Sequence, residues 1–274
     1  MPGKLRIGIV GCGAIGSSLA GAIVRDFSRQ ARLVALFDLD QEKSRRLSRR
    51  LFKKEAAAVK SLGELIRRSE LVVECSCAAA SAEIAGESLD KGRDVMVMSV
   101  GGLVSSFNRL SAIAGKKGRR IFIPSGAISG IDGLKAAGIR RIRSVLLTTR
   151  KNPAAFKGVE YVKKLKIDLD KVRQDKTLYF GPAIRAVRFF PQNINVAAVL
   201  SLAGIGADKT YVKIVASPGT KKNIHEIQIL SEAAKITTRT ENITHPDNPK
   251  TSYLAVLSAI ATLRGILAPA KIGT

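Results

Sequence analysis

The sequence predicts an α/β protein of two domains. An amino-terminal parallel sheet is flanked by helices, and an α+β domain with a mainly antiparallel sheet follows. Three observations carry that expectation. An apolar run at 4–10 leads into Gly11-Cys12-Gly13-Ala14-Ile15-Gly16 and then a helical pattern. Strand-like and helix-like segments alternate as far as residue 124. Beyond residue 141 the texture changes, and period-two alternation marks three strands at 210–216, 223–230 and 236–242.

Taken in order, Lys4-Leu5-Arg6-Ile7-Gly8-Ile9-Val10 reads as a buried strand. In the turn after it, Gly11 permits the tight bend, Gly13 lets a pyrophosphate approach the backbone, and Gly16 lets helix pack on strand. The helix then offers the phosphates its free N–H groups, at Ala14 and Ile15, and its positive dipole end. A second apolar run at 33–37 ends at Asp38, 22 residues past Gly16, where a carboxylate takes ribose hydroxyls. Together these make a Rossmann-type dinucleotide turn. The expected cofactor is NAD or NADP, with NAD preferred because Asp38 repels a 2′-phosphate.

A charged helix at 41–52, a short strand at 57–59 and a small helix at 62–68 follow. A strand at 70–75, a helix at 78–89, a strand at 94–99, a helix at 103–114 and a strand at 120–123 complete the alternation. Ligands of such sheets sit at the carboxyl ends of the strands, so the loops at 75–80, 99–102 and 124–130 are expected to border the cofactor. Further on, a strand is expected at 144–149 and a helix at 195–202. The string Asp247-Asn248-Pro249-Lys250-Thr251-Ser252 reads as a helix start. The helix after it repeats Tyr253, Val256, Leu257, Ile260 and Leu263 at helical spacing. The expected division is 1–129 for the dinucleotide, with a helix at 248–274 packing back on it. Residues 130–247 are then left for substrate, catalysis and dimerisation.

Composition narrows the function classes. At 274 residues and 46% apolar, the chain can bury a substantial core. No apolar run reaches the ~20 residues that span a bilayer, and the first strand leaves no room for a signal sequence. Cys12, Cys75 and Cys77 do not form a disulfide framework, so the cytoplasm is the expected compartment. The net charge of +24 raises the question of nucleic acid. Its carriers are scattered pairs, among them Arg45-Arg46, Lys116-Lys117 and Lys221-Lys222, and Trp is absent. That favours a solvated cationic surface attracting small anions over a specific nucleic-acid partner.

There are two histidines. Alternation puts His225 on the face of Ile227 and Ile229, where it is either a packed core imidazole or a general acid or base. His245, in Thr244-His245-Pro246-Asp247, reads as turn-bound, and structural or exposed. No third histidine or cysteine cluster has ligand spacing, so no metal is expected. Cys75 and Cys77 end a strand with no histidine nearby in sequence and read as small buried residues lining a cofactor loop; Cys12 occupies a variable position of the glycine turn and is not expected to be catalytic. Asn193 and Asn195 either cap the helix after them or hydrogen-bond a ligand.

The glycine turn is followed by Met98-Ser99-Val100-Gly101-Gly102 and Pro124-Ser125-Gly126-Ala127-Ile128-Ser129-Gly130. Then come Phe190-Pro191-Gln192-Asn193-Ile194-Asn195-Val196-Ala197 and Asp247-Asn248-Pro249-Lys250-Thr251-Ser252-Tyr253. In this order, over nearly the whole chain, these strings resemble the L-aspartate dehydrogenase family. The resemblance implies NAD(P)-linked oxidation of L-aspartate to iminoaspartate, which hydrolyses to oxaloacetate and ammonia or feeds pyridine-nucleotide synthesis. It implies cofactor contacts at the Ala127 backbone amide and at Asn195, and a catalytic histidine at His225. Candidates for the substrate carboxylates are loop N–H groups at 126–129, Asn193, Lys250 and Thr251. A homodimer is expected from the exposed sheet of the second domain. Two other readings stand beside this one. A relative of homoserine dehydrogenase or dihydrodipicolinate reductase lacks the Asn-Ile-Asn and Asn-Pro-Lys-Thr-Ser strings in this order. A non-enzymatic NAD(H) sensor that binds nucleic acid needs a DNA-reading element, and no helix-turn-helix signal is present.

Overall fold

The computed structural model describes residues 3–54, 57–190, 195–246 and 248–274, with 248–250 described by their backbone. Two compact units divide the chain: Met1–Pro124 with Val256–Lys271, and Ser125–Ala255 with Ile272–Thr274.

The first unit runs β1 (Leu5–Val10), α1 (Ala14–Arg25), β2 (Ala31–Phe37), α2 (Gln41–Phe52), α3 (Leu62–Arg68), β3 (Leu71–Glu74), α4 (Ala78–Asp90), β4 (Asp94–Val97), α5 (Phe107–Lys117) and β5 (Ile121–Phe122). The strands lie in the order β2-β1-β3-β4-β5 with every pairing parallel. Near-continuous apolar strands suit a sheet covered on both faces, and Ile7, Ile9, Leu36, Val73 and Met96 are fully buried. From β1 the chain goes to β2 on one side and later to β3 on the other. The carboxyl ends of β1 and β3 therefore flank the point where a parallel sheet opens a crevice.

Two local readings are corrected here. Residues 57–59 form no strand beyond a bridge between Ala58 and Leu36. The helix expected from 103 begins at Phe107, after a 3-10 turn at Val100–Leu103. The cause is close packing. A Cβ on Gly102 would lie 1.9 Å from the Ala78 carbonyl oxygen, so this stretch is pressed against the start of α4.

The second unit contains α6 (Ile131–Ala137), β6 (Ile142–Lys151), α7 (Glu160–Lys164), β7 (Lys176–Pro182), α8 (Ala183–Phe189), α9 (Asn195–Ala203), β8 (Thr210–Ala216), β9 (Asn223–Ser231), β10 (Lys235–Asn242), β11 (Thr244–His245) and β12 (Asn248–Ser252). Its sheet runs β10-β9-β6-β8-β7, antiparallel except where β6 meets β8. One face is apolar: Val145, Leu147, Val212, Ile214, Ile227 and Ile229 pack with Leu134 of α6, Ala183 and Ala186 of α8, and Ala197 and Leu200 of α9.

The last helix, α10, spans Tyr253–Leu267. The helix start read at 247–252 is overturned, because Asn248–Ser252 is strand β12, paired antiparallel to β11. The Tyr253 N–H donates to the Ile243 carbonyl at 2.8 Å and closes that hairpin. Turn-forming residues that cap helices also initiate hairpins, so the string was ambiguous. Ala259 and Leu263 of α10 are fully buried in the first unit's core. No helix among the described residues is long and apolar enough to cross a membrane.

Candidate functional site

The first unit offers an anion cradle. Gly11 has φ +91°, and a Cβ there would lie 2.4 Å from the Cys75 carbonyl oxygen, so the turn and the β3 end touch. A Cβ on Gly16 would lie 1.9 Å from the Gly11 carbonyl oxygen, which lets α1 close on the turn. Gly13 has open space where a side chain would project. It is the N-cap of α1, with no side-chain cap hydrogen bond, so the first N–H groups of α1 face that space. A dinucleotide pyrophosphate fits this cradle on both shape and charge. Asp38, half-buried just past β2, accepts the Cys12 N–H at 2.7 Å and the Asp40 N–H at 3.0 Å. Its carboxylate therefore shapes the glycine turn.

Glu74, at the carboxyl end of β3, was not singled out from the sequence. It is fully buried, and two loops converge on it. One carboxylate oxygen accepts the Ser76 N–H at 2.7 Å, the Ser76 hydroxyl at 2.8 Å and the Ser99 hydroxyl at 2.9 Å, and the other accepts the Ser99 N–H at 2.9 Å. A buried carboxylate without such donors would be costly. This one clasps the two loops expected at the cofactor edge. Nothing in the string Glu70-Leu71-Val72-Val73-Glu74-Cys75 marks it as special, because the Ser99 donors that complete its set come from 25 residues away.

Cys12 and Cys75 sit where a thiolate is disfavoured. Burial, with Asp38 nearby, pushes the Cys12 thiol up to about 12. Burial and the neighbouring Glu74 push Cys75 well above the ordinary thiol range. Both stay as thiols at neutral pH. Cys77 departs from the expectation of burial within a strand: it is exposed and is the N-cap of α4. A concavity of about 650 Å³ opens at the opposite, amino end of these strands, rimmed by Lys4, Arg6, Arg32, Lys54 and Arg68. It holds none of the expected cofactor residues and forms part of the diffuse cationic surface.

In the second unit, His225 lies on β9 opposite Thr149 of β6 and Thr240 of β10. It shares the covered face with Ile227 and Ile229, and 4% of it is exposed. Its Nδ1 is 3.0 Å from the Thr149 hydroxyl. Burial, with the Lys151 charge nearby, pushes its pKa down to about 3, so the ring is neutral at physiological pH. Lys151 is itself half-buried, and desolvation lowers it to about 8. Along this face the rows run from apolar, Val145 beside Ile229, to polar, Thr149 beside His225. The chemistry-bearing side chains lie where the apolar core ends.

A rail on β10 holds the 125–130 loop against this end. Thr238 donates to the Ser129 carbonyl at 3.3 Å, and the hydroxyls of Thr240 and Ser129 are 3.0 Å apart. Asn242 donates to the Ala127 carbonyl at 3.0 Å and to the Asn223 carbonyl at 3.3 Å. Two carbonyl partners fix which way this amide points, and they leave its buried Oδ1 without a donor among the described residues. Ala127, the expected cofactor contact, is thus held by the strand beside His225.

The other expected residues are placed as follows. Asn195 is exposed at the start of α9, and Thr251 is half-buried in β12. Lys250 lies in β12 by its backbone, and Asn193 lies outside the described residues. His245 is not exposed: it is buried in β11, edge-on to the Tyr253 ring at 5.4 Å. Among the described residues, no group of three or more His, Cys, Asp or Glu is arranged to hold a metal.

Residues 132–266 match the family model described as Aspartate dehydrogenase, C-terminal, and residues 11–124 match the model described as Homoserine dehydrogenase, NAD binding domain. The L-aspartate dehydrogenase of Methanosarcina barkeri (strain Fusaro / DSM 804) is 43% identical over 272 residues, covering 98% of this chain and 100% of that one. The L-aspartate dehydrogenase 3 of Bordetella bronchiseptica is 38% identical over 271 residues, covering 99% of this chain and 98% of that one. Among solved structures, aspartate dehydrogenase from Thermotoga maritima is similar with a TM-score of 0.71 at 25% identity, covering 99% of this chain and 100% of that one.

Proposed function

We propose, for a chain that belongs to the L-aspartate dehydrogenase family, that it oxidises L-aspartate with NAD or NADP to iminoaspartate. The imine then hydrolyses to oxaloacetate and ammonia or passes into pyridine-nucleotide synthesis. The observation that carries this reading is the full-length match at 43% identity. A homoserine dehydrogenase relative shares the first-half model, but the second half matches the aspartate dehydrogenase model. The test is reduction of NAD and NADP by purified protein over a panel of amino and hydroxy acids. Turnover confined to a substrate other than aspartate would overturn the reading.

When bound, the cofactor supplies the hydride acceptor. The N–H groups of Ala14, Ile15 and Gly16 at the amino end of α1 hold its phosphates, with Gly11 and Gly13 leaving the room. Asp38 takes ribose hydroxyls, and the Ala127 amide and Asn195 add further contacts. The substrate amine must lose its proton before the alpha carbon can release hydride. His225 is the proton acceptor, for that amine or for the water that attacks the imine. The Thr149 hydroxyl, which can donate or accept, pairs with Nδ1. When Nδ1–H donates to that hydroxyl, the lone pair at Nε2 is left free to take the proton.

NAD is the preferred cofactor, because Asp38 repels a 2′-phosphate. Lys43, Arg45 and Arg46, close by in sequence in α2, soften that repulsion enough for NADP to be used. Asp38→Ala is expected to raise the KM for NAD by about 10-fold, the loss of a charge-assisted hydrogen bond, and to shift preference toward NADP. Unchanged Michaelis constants for both cofactors would sink the Asp38 assignment. The cytoplasm is the proposed compartment and a homodimer the proposed assembly. Phe180 and Tyr211, with ring centroids 5.6 Å apart, and Leu230 expose apolar surface on the second unit's sheet. A monomer in sedimentation equilibrium would exclude the dimer.

A further inference from the structure

We propose that Asn242 is a positioning residue, which fixes the Ala127 peptide for the cofactor and holds it in place relative to His225. The role rests on reading the chain as an L-aspartate dehydrogenase, which assigns the Ala127 amide to NAD or NADP. The register of β10 builds the link. Its covered face carries Ile236, Thr238, Thr240 and Asn242 at every second residue. Three of these hold the loop before α6. Thr238 donates to the Ser129 carbonyl, Thr240 meets the Ser129 hydroxyl, and Asn242 donates to the Ala127 carbonyl. Thr240 stands opposite His225, and Asn242 opposite Asn223. The Asn242 Nδ2 also donates to the Asn223 carbonyl, two residues before His225 on β9. One amide group thus ties the Ala127 loop to the strand that carries the imidazole.

The loop is shaped for such a hold. Gly126, with φ +71°, and Gly130, with φ +88°, bracket residues 127–129 with left-handed bends. A Cβ on Gly130 would lie 2.8 Å from the Thr238 Cγ2, so the loop lies directly on β10. In a trans peptide the carbonyl and the next N–H point opposite ways. With the Ala127 carbonyl turned to β10, the Ile128 N–H therefore turns away from it. The N–H groups of Ala127 and Ile128 donate to no acceptor among the described residues, although the two residues are only 5% and 3% exposed. Backbone donors left open in so buried a stretch are unusual, and they suit a bound group that accepts from them. The carbonyl and the amide of Ala127 share one Cα, so the anchor on the first orients the second.

Packing alone does not explain an amide at this position. Asn242 is 2% exposed, and its Oδ1 has no donor among the described residues. An aliphatic side chain of similar volume gives up two hydrogen bonds to carbonyls and removes one buried acceptor that is unpaired. Those two effects oppose each other, so the net stability gained from the amide is small. What only the amide supplies is direction: two N–H donors from a single nitrogen, each committed to a backbone carbonyl. A buried unpaired group kept in a native fold calls for a reason, and here the reason is the placement of Ala127.

The test compares Asn242→Leu and Asn242→Asp with the wild type. It measures NADH affinity by fluorescence, the deuterium isotope effect on kcat with alpha-deuterated aspartate, and the melting temperature. Asn242→Leu is expected to melt close to the wild type and to bind NADH about 10-fold more weakly, the loss of one buried hydrogen bond. Its isotope effect at saturating aspartate and cofactor should rise, because a misplaced acceptor slows hydride transfer itself. Asn242→Asp keeps the shape but turns a carboxylate oxygen toward both carbonyls, so its NADH affinity should fall at least as far. A residue that only stabilises the sheet would lower the melting temperature and leave NADH affinity and isotope effect at their wild-type values. That result, or loss of the fold in both variants, would overturn the proposal. A wild type that binds NADH but does not oxidise aspartate would overturn the family reading instead, and the NADH affinities of the variants would still decide the role of Asn242.

Discussion

Turnover is expected to fall by about 10²–10⁴-fold when His225 is replaced by alanine, the usual loss for a positioned general acid or base, with NADH affinity nearly unchanged. His225 belongs to the second unit and the glycine turn to the first, so the variant leaves the phosphate cradle intact. His245→Ala is the control. It removes a buried ring packed on Tyr253, so it lowers the melting temperature and changes turnover little. The buried imidazole also has a signature in stability. Its folded pKa, about 3, lies below the ordinary value of 6.5, so the unfolded chain takes up the proton first. Stability from this group is complete above pH 6.5 and is lost as pH falls toward 3, by at most about 1.4 kcal/mol per pH unit. His225→Ala lacks that acid slope. A variant that is destabilised yet turns over normally in its folded fraction would end the catalytic claim.

The first unit was legible because its signals are local. Gly11, Gly13, Gly16 and Asp38 sit in one β-turn-α-β stretch; Gly11 and Gly16 have a steric reason visible in the turn, and Gly13 leaves open space. The alternation of β9 likewise read correctly, down to the shared face of His225 and Ile227. What escaped depends on distant partners or weak periods. Helices α6 and α8, each 7 residues long, are too short to show a helical period, and β7 carries a register shift between Thr177 and Tyr179. The Asn248–Ser252 hairpin arm shares its residue types with a helix start. Glu74 gains its meaning only once β3 and β4 are paired, because Ser99, which completes its set of donors, is remote in sequence.

Glu74→Gln is expected to weaken NADH binding by about 10-fold or more and to leave the aspartate KM unchanged at saturating cofactor. The argument follows from the donors. Four hydrogen bonds reach this carboxylate: two from hydroxyls, which can reverse direction, and two from the backbone N–H groups of Ser76 and Ser99, which cannot. A glutamine best keeps its oxygen where three donors meet and turns its amino group toward the Ser99 N–H. One buried donor is then left facing another, a cost of about 1–3 kcal/mol. In a chain of this size that lowers the melting temperature by several degrees, about 2–4 °C per kcal/mol. The β3 end and the glycine turn are in contact at Gly11 and Cys75, so slack in the 75–77 loop reaches the phosphate cradle directly. Ser99→Ala removes one hydroxyl and spares both N–H bonds, and its NADH affinity should fall between the two. If Glu74→Gln melts early but binds NADH as tightly as the wild type, Glu74 stabilises the sheet and has no part in positioning the cofactor. Equal losses of NADH and aspartate affinity would point instead to general loosening of the fold.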